Sequence, residues 1–174
     1  KLLYGPDNYM QYAMAVMAGF YHSSMRNMLQ LNNGNGTFSE IGQFSGISNT
    51  DWSWAPLFAD FDNDGWKDFF ISNGYFRDYT DRDFLKYKND YFSQQVRMNA
   101  RPDTFMLTKS MKSTPVHNFV FRNNKDLTFS DKTIEWGLGK KAFSTGAAYS
   151  DLDNDGDLDL VTSNQNETAS LYRN

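Results

Sequence analysis

A nine-residue acidic string, Asp-x-Asp-Asn-Asp-Gly-x-x-Asp, stands at Asp60 to Asp68 and again at Asp151 to Asp159, displaced by 91 residues. Four carboxylates at positions 1, 3, 5 and 9 repel one another unless a cation sits among them. Glycine at position 6 permits the sharp turn that gathers them. A hard cation suits this all-oxygen set: calcium accepts ~6–8 oxygens in flexible geometry, whereas magnesium demands a tight octahedron and keeps its waters. The chain has no cysteine and only two histidines, His22 and His117, both outside the strings, so zinc, copper and iron-sulfur sites lack donors. Two calcium sites are expected. The first would use the side chains of Asp60, Asp62, Asp64 and Asp68 with the carbonyl of Trp66. The second would use Asp151, Asp153, Asp155 and Asp159, with Asp157 at position 7. An acidic surface turn without metal is the plain alternative, since Asp, Asn and Gly are ordinary turn formers; recurrence at one register favours metal.

The EF-hand begins with the same residues but needs a bidentate Glu at position 12 and flanking helices. Position 12 here is Ile71 or Thr162, and the residues after each glycine, Asp68-Phe-Phe-Ile-Ser and Asp157-Leu-Asp-Leu-Val-Thr, read as strands. The loops therefore join strand to strand.

The duplication extends beyond the loops. Residues 27–73 laid over 118–164 without a gap agree at 16 of 47 positions, which marks a repeated unit. Asn27-Met-Leu-Gln-Leu-Asn-Asn aligns with Asn118-Phe-Val-Phe-Arg-Asn-Asn as an opening strand. Thr37-Phe38-Ser39 aligns with Thr128-Phe129-Ser130 as a second, and Gly46-Ile47 with Gly137-Leu138 before a linker. A third strand, Ala55 to Ala59 or Gly146 to Ser150, leads into the loop and a fourth. Each unit is thus expected to be a four-stranded antiparallel meander, the content of one propeller blade. Where the first hairpin has Gly34-Asn35-Gly36 the second has Lys125-Asp126-Leu127, so a different turn is expected there. Ser170-Leu-Tyr-Arg-Asn174 is similar to Val120-Phe-Arg-Asn123, as if a third unit opened. The segments are then 1–26, an N-terminal helical or connecting stretch; 27–74, repeat 1; 75–117, a helical insertion; 118–165, repeat 2; and 166–174, the start of a third repeat. The fold class expected is all-β, with propeller-type blades and a helical insertion.

Asn27-x-Leu-x-Leu-Asn-Asn-Gly-Asn-Gly-Thr-Phe, Thr50-Asp-Trp-Ser-Trp54, Phe58-Ala-Asp-Phe-Asp-Asn-Asp-Gly65 and Phe121-Arg-Asn-Asn124 resemble stretches of the FG-GAP or VCBS repeat family. The resemblance runs over about residues 20 to 174 and is nearest to large secreted bacterial proteins that add an ASPIC/UnbV module. It implies extracellular β-propellers with calcium loops, and scaffolding, matrix or adhesion roles rather than a reaction.

The 174 residues, 40% hydrophobic and 17% aromatic, suffice for a real core. A closed propeller needs ~4–8 blades, so two units leave open sheet edges. The chain is therefore expected to be part of a larger or assembled propeller, meeting other repeats of a longer chain or identical subunits through those edges. The most apolar stretch, Ala13 to Phe20, is too short to span a bilayer and lacks a signal-peptide layout; no targeting segment is read in this chain. Tyr9, Ala13, Val16, Met17 and Phe20 fall at helical spacing, as in a packed amphipathic helix. In the insertion, Thr80-Asp-Arg-Asp83 is a helix start with Phe84, Tyr87, Lys88 and Tyr91 on one face, and Pro102-Asp103 opens a second helix through Met111. This excursion suits either a partner surface or a rim cover. Its cations, including Arg77, Arg82, Lys86 and Lys112, are balanced by Asp78, Asp81, Asp83 and Asp90, which argues against nucleic acid.

Nothing in the chain reads as catalytic machinery. There is no nucleophile elbow, the paired aspartates are committed to metal, and Asn33-Gly-Asn-Gly36 is a hairpin rather than a phosphate cradle. His22, between Tyr21 and Ser23, reads as structural. Trp52 and Trp54 could stack on sugars, although alignment of Trp52 with Phe143 favours blade packing. Asn35-Gly-Thr37 and Asn166-Glu-Thr168 match the N-glycosylation pattern. The expectation is an extracellular or cell-surface calcium-binding repeat protein of structural, assembly or adhesive role, not an enzyme. The alternatives are a carbohydrate-binding module of a glycan-processing protein, or a self-assembling filament or ring subunit.

Overall fold

A computed structural model describes residues 9–20 and 26–174; His22 lies outside them. The chain divides into two compact units, Lys1–Met25 with Phe76–Thr114, and Arg26–Tyr75 with Pro115–Asn174. The N-terminal segment and the insertion thus fall in one unit. The second unit holds every strand among the described residues: β1 (Gln30–Asn32), β2 (Phe38–Glu40), β3 (Ser53–Ala59), β4 (Asp68–Asn73), β5 (Val116–His117), β6 (Phe119–Asn123), β7 (Phe129–Asp131), β8 (Lys141–Ala142), β9 (Ser144–Ser150), β10 (Asp159–Asn164) and β11 (Ser170–Tyr172). All pairings are antiparallel. Among the described residues the fold is all-β with propeller-type blades and few helices, and no barrel closes.

The blade boundaries differ from the sequence repeat. The four-stranded sheet runs β3-β4-β6-β7, and a three-stranded sheet runs β11-β10-β9. A blade therefore takes the last two strands of one repeat and the first two of the next, rather than one repeat's own four. The cause lies in β4, whose six residues are all buried. It needs ladder partners on both edges and apolar cover on both faces, and among the described residues β1 and β2 pair only with each other. Phe69, Phe70 and Ile71 of β4 oppose Phe121, Val120 and Phe119 of β6.

Side-chain alternation sends these residues to two cores. Phe70 and Val120 join Ala59, Phe61, Leu138 and Leu160 on one face, with Ala147, Leu158 and Tyr172 packed against them. Phe69, Ile71 and Phe121 join Ile47 on the other, where Leu29 packs. The four-stranded sheet is thereby sandwiched between residues from the first hairpin side and from the β9-β10-β11 sheet.

The aligned identities outside the loops have physical work to do. Gly46 and Gly137 end single helical turns in which Ile47 N–H bonds Gly42 O and Leu138 N–H bonds Thr133 O. In this Schellman arrangement the residue after each glycine is driven into the core, where Ile47 and Leu138 are buried. Ser53 Oγ donates to Asn73 Oδ1 at 2.8 Å, and its counterpart Ser144 Oγ donates to Asn164 Oδ1 at 2.7 Å. Asn118 Oδ1 accepts the Asn73 N–H, and its Nδ2 donates to Ser144 Oγ. Buried polar groups survive in a core only when bonded in this way.

The second hairpin makes the same turn as the first, contrary to the sequence expectation. Lys125 and Leu127 adopt φ of 70° and 69°, where Gly34 and Gly36 have 75° and 85°. Side chains impose the shape: Asn124 Nδ2 donates to Thr128 Oγ1 at 3.0 Å as Asn33 Nδ2 does to Thr37 Oγ1. Asp126 takes the place of Asn35 in capping the following threonine N–H. Left-handed backbone costs a residue with a Cβ about 1–2 kcal/mol, and the glycine alternative loses about 0.5–1 kcal/mol in chain entropy. Leu127→Gly should therefore raise stability by about 0.5–1 kcal/mol in urea unfolding; a loss of stability would contradict this account of the turn.

Near the first hairpin, Arg26 bonds Glu40 at 2.8 Å. That contact first, then the Gly42 N–H, holds the Glu40 pKa below its ordinary 4.5. The resulting stability is present above that value and lost as pH falls through the folded-state value. Glu40→Gln should lower stability at pH 7 and leave it unchanged in strong acid, as read by urea midpoints; an equal loss at both would refute it.

The other unit carries α1 (Tyr9–Met17), α2 (Arg82–Arg97) and α3 (Thr104–Ser110). Asp81 caps α2 by accepting from Phe84 N–H at 2.9 Å, and Lys112 reaches the same carboxylate at 3.0 Å. Asp103 caps α3, while its own N–H donates to Tyr91 Oη of α2 at 2.8 Å. Phe84 is buried and Lys88 and Tyr91 half-buried, but Tyr87 is exposed. On α1, Ala13 and Val16 are half-buried and Met17 is exposed, as is Phe20 beyond its end, so only part of the expected apolar face is covered.

Candidate metal centres

Both acidic strings connect strand to strand, β3 to β4 and β9 to β10, as their sequence demanded. Their backbones coincide: Gly65 and Gly156 have φ of 85° and 97°, and Asn63 and Asn154 at position 4 also turn left-handed at 58° and 60°. Asparagine tolerates that region better than most side chains, which accounts for the recurring Asn that ligand counting left unexplained.

Each loop folds around its first aspartate. Asp60 accepts the N–H groups of Asp64 at 3.1 Å and Gly65 at 2.9 Å. Asp151 accepts those of Asp155 at 3.2 Å and Gly156 at 3.0 Å. The ninth aspartate locks the base. Asp68 is fully buried and accepts Phe61 N–H at 3.0 Å and Asn123 N–H at 2.9 Å. Asp159 does the same with Leu152 and Asn174, both at 3.0 Å.

Oxygens of Asp60, Asp62 and Asp68 converge within 4.8 Å of one another, as do those of Asp151, Asp153 and Asp155. Asp62 Oδ1 is buried and has no hydrogen-bond partner among the described residues. A buried carboxylate oxygen without a donor is costly unless a cation faces it. With the hard, oxygen-only donor set, that orphan makes the first loop fit a calcium-type ion.

Of the expected side-chain ligands, Asp64 and Asp159 fall outside these two groups, and the acids differ in what else they bond. Asp64 gives Oδ1 to Trp66 N–H at 3.0 Å and Oδ2 to Arg122 and Lys125 at 3.3 and 3.2 Å. Burial pulls its pKa up, but these donors outweigh burial and leave it below the ordinary range. In Asp155 the Asp157 N–H is the leading cause of a lowered pKa, with Arg173 adding to it. Asp68 goes the other way: burial, with repulsion from Asp62 and Asp64, raises its pKa against the two N–H donors. The Asp157 carboxylate faces the neighbouring loop and accepts from Asn63 Nδ2 at 2.8 Å.

Besides Lys125 and the N–H groups of Asn123 and Asn174, two arginines reach the acids from outside the strings. Arg122 Nε meets Asp62 Oδ2 at 2.7 Å, and Arg173 Nε meets Asp153 Oδ2 at 2.7 Å. Their signal in the sequence was the recurring Arg-Asn of the two similar strands, Arg122-Asn123 and Arg173-Asn174.

Residues 8–71 and 99–162 each match the profile of the FG-GAP-like repeat. The chain belongs to the FG-GAP-like repeat family. Both ends of the matched segments carry the 91-residue displacement of the acidic loops, so this FG-GAP chain is a tandem pair in sequence as well as in loop geometry. No curated protein matches it significantly. Such repeats build structural, generally noncatalytic modules, typically extracellular ones. No helix among the described residues is long and apolar enough to cross a membrane. His117, the one described histidine, bonds Asn118 O at 2.9 Å and sits edge-on to Phe119, a structural setting.

Proposed function

We propose that this FG-GAP chain is an extracellular, calcium-stabilised repeat segment that serves structure, assembly or adhesion and carries out no catalysis. The observation that carries the reading is the pair of acid loops with matching turn angles and backbone hydrogen bonds, one with a buried Asp62 Oδ1 that has no hydrogen-bond partner among the described residues. Asp60, Asp62, Asp64 and Asp68 with the Trp66 carbonyl would hold one ion. Asp151, Asp153, Asp155 and Asp159 with the Asp157 carbonyl would hold the other. The ion would neutralise the aspartates and fix the strand-to-strand turn, so that binding contributes to folding. Abundant extracellular calcium would keep such loops filled, in keeping with the resemblance to secreted bacterial repeat proteins. Limited proteolysis tests this: in millimolar calcium the segments 26–75 and 115–174 should resist cleavage, and chelation should expose them. Equal cleavage in both conditions would overturn the reading.

One observation favours a glycan-binding role within the same scaffold. Trp54 and Tyr75 stack with ring centroids 6.1 Å apart and planes 13° from parallel, beside Trp52, and are 43% and 37% exposed. A flat aromatic pair of this kind suits the apolar face of a sugar ring. A glycan array that loses its signal on Trp54→Ala would support it. Assembly through open edges has its own support in β11, which among the described residues pairs with β10 alone; light scattering against concentration reads that out.

A further inference from the structure

We propose that Arg122 and Arg173 are positioning residues of the two cation sites, so that each acidic loop is completed only when the strand opening the next repeat has docked. The inference rests on the calcium reading above and extends it to side chains outside the loops.

The two contacts are near copies. Arg122 places Nε on Asp62 at 2.7 Å and Nη2 on Asp64 at 3.3 Å. Arg173 places Nε on Asp153 at 2.7 Å and Nη2 on Asp155 at 3.3 Å. In each case the next residue, Asn123 or Asn174, donates its N–H to the ninth aspartate of the same loop. Yet sixty residues separate Asp62 from Arg122, and only twenty separate Asp153 from Arg173. The helical insertion lies in the first interval and not in the second, so conserved spacing does not explain the match. What the two share is strand pairing: β6 lies beside β4 as β11 lies beside β10.

Stability does not explain the contacts either, because ion pairs this exposed contribute little to it; the arginine side chains are 44% and 70% exposed. Geometry does. The fork takes Oδ2 of Asp62 and leaves Oδ1 buried without a donor. Outer hydrogen bonds that orient a ligating carboxylate are a general requirement of metal sites. A bare charge argument makes the opposite forecast, since a guanidinium beside the site repels a cation and its removal would tighten binding.

The test is calorimetric titration of calcium into metal-free wild type, Arg122→Gln, Arg122→Lys and Arg173→Gln, with amide exchange at Ser170–Tyr172. Each glutamine variant should weaken one of two sites by about 10–100-fold and spare the other. Lysine at 122 should fail to restore binding, because an ammonium offers no planar fork. Calcium should slow exchange in β11 of wild type, and Arg173→Gln should need correspondingly more calcium for the same effect. Unchanged or tighter binding in the variants, or full rescue by lysine, overturns the proposal while wild-type binding upholds the calcium sites. Absence of binding in wild type overturns both.

Discussion

Chelation of calcium is expected to lower the melting temperature by about 10–20 °C. An ion bound only to the folded state adds about 2.7 kcal/mol when free calcium is a hundred times the dissociation constant. Two such sites add about twice that, and at this chain length each kcal/mol moves the midpoint by about 2–4 °C. The effect is large because the metal-free loops are unfavourable: Asp62 Oδ1 is buried without a hydrogen-bond partner among the described residues, and burial with repulsion raises the Asp68 pKa. A scan in millimolar calcium and again in excess chelator measures it. A shift of about 2 °C or less would leave the loops as acidic turns held by their own hydrogen bonds.

Asp68→Ala is expected to cost about 2–6 kcal/mol even without metal. Asp68 is fully buried and satisfies the N–H groups of Phe61 and Asn123; each donor orphaned in a buried site costs about 1–3 kcal/mol. The first bond fixes the loop entrance and the second ties β6 of repeat 2 to the loop of repeat 1, so the lesion should reach the β4-β6 ladder. Asp159→Ala strips the matching bonds to Leu152 and Asn174. It should cost less, because the second donor closes only the three-residue strand β11. Urea unfolding in chelator isolates this from metal loss. A change under about 1 kcal/mol for Asp68→Ala would mean that water or backbone movement satisfies those donors.

The loops, the duplication and the strand-to-strand setting were legible in the sequence because each rests on short-range chemistry: aspartate spacing, a turn glycine, and apolar alternation in Asp68-Phe-Phe-Ile-Ser. The helix starts at Asp81 and Asp103 were legible for the same reason. Blade membership was not. That β4 pairs with β6 across the insertion, while β1 and β2 pair apart, is decided by burial of both faces of Phe69 to Ile71, a long-range property. The turn of the second hairpin is hidden for another reason: it lacks the glycines that usually mark such a turn, and the Asn124–Thr128 bond and the Asp126 cap impose it on Lys125 and Leu127. At the site, the acid residues were visible and their division of labour was not. Asp64 turns to Arg122 and Lys125, and that depends on β6, whose Arg122 stands 58 residues further on, and on the turn after it.

A native mass spectrum of the protein in micromolar calcium reads out whether each acidic loop takes up one calcium ion. A dominant species of chain plus two calcium ions is expected, reduced to one by Asp60→Ala or Asp151→Ala and to none by both. A spectrum of the bare chain, or one whose bound calcium ignores these substitutions, would contradict it.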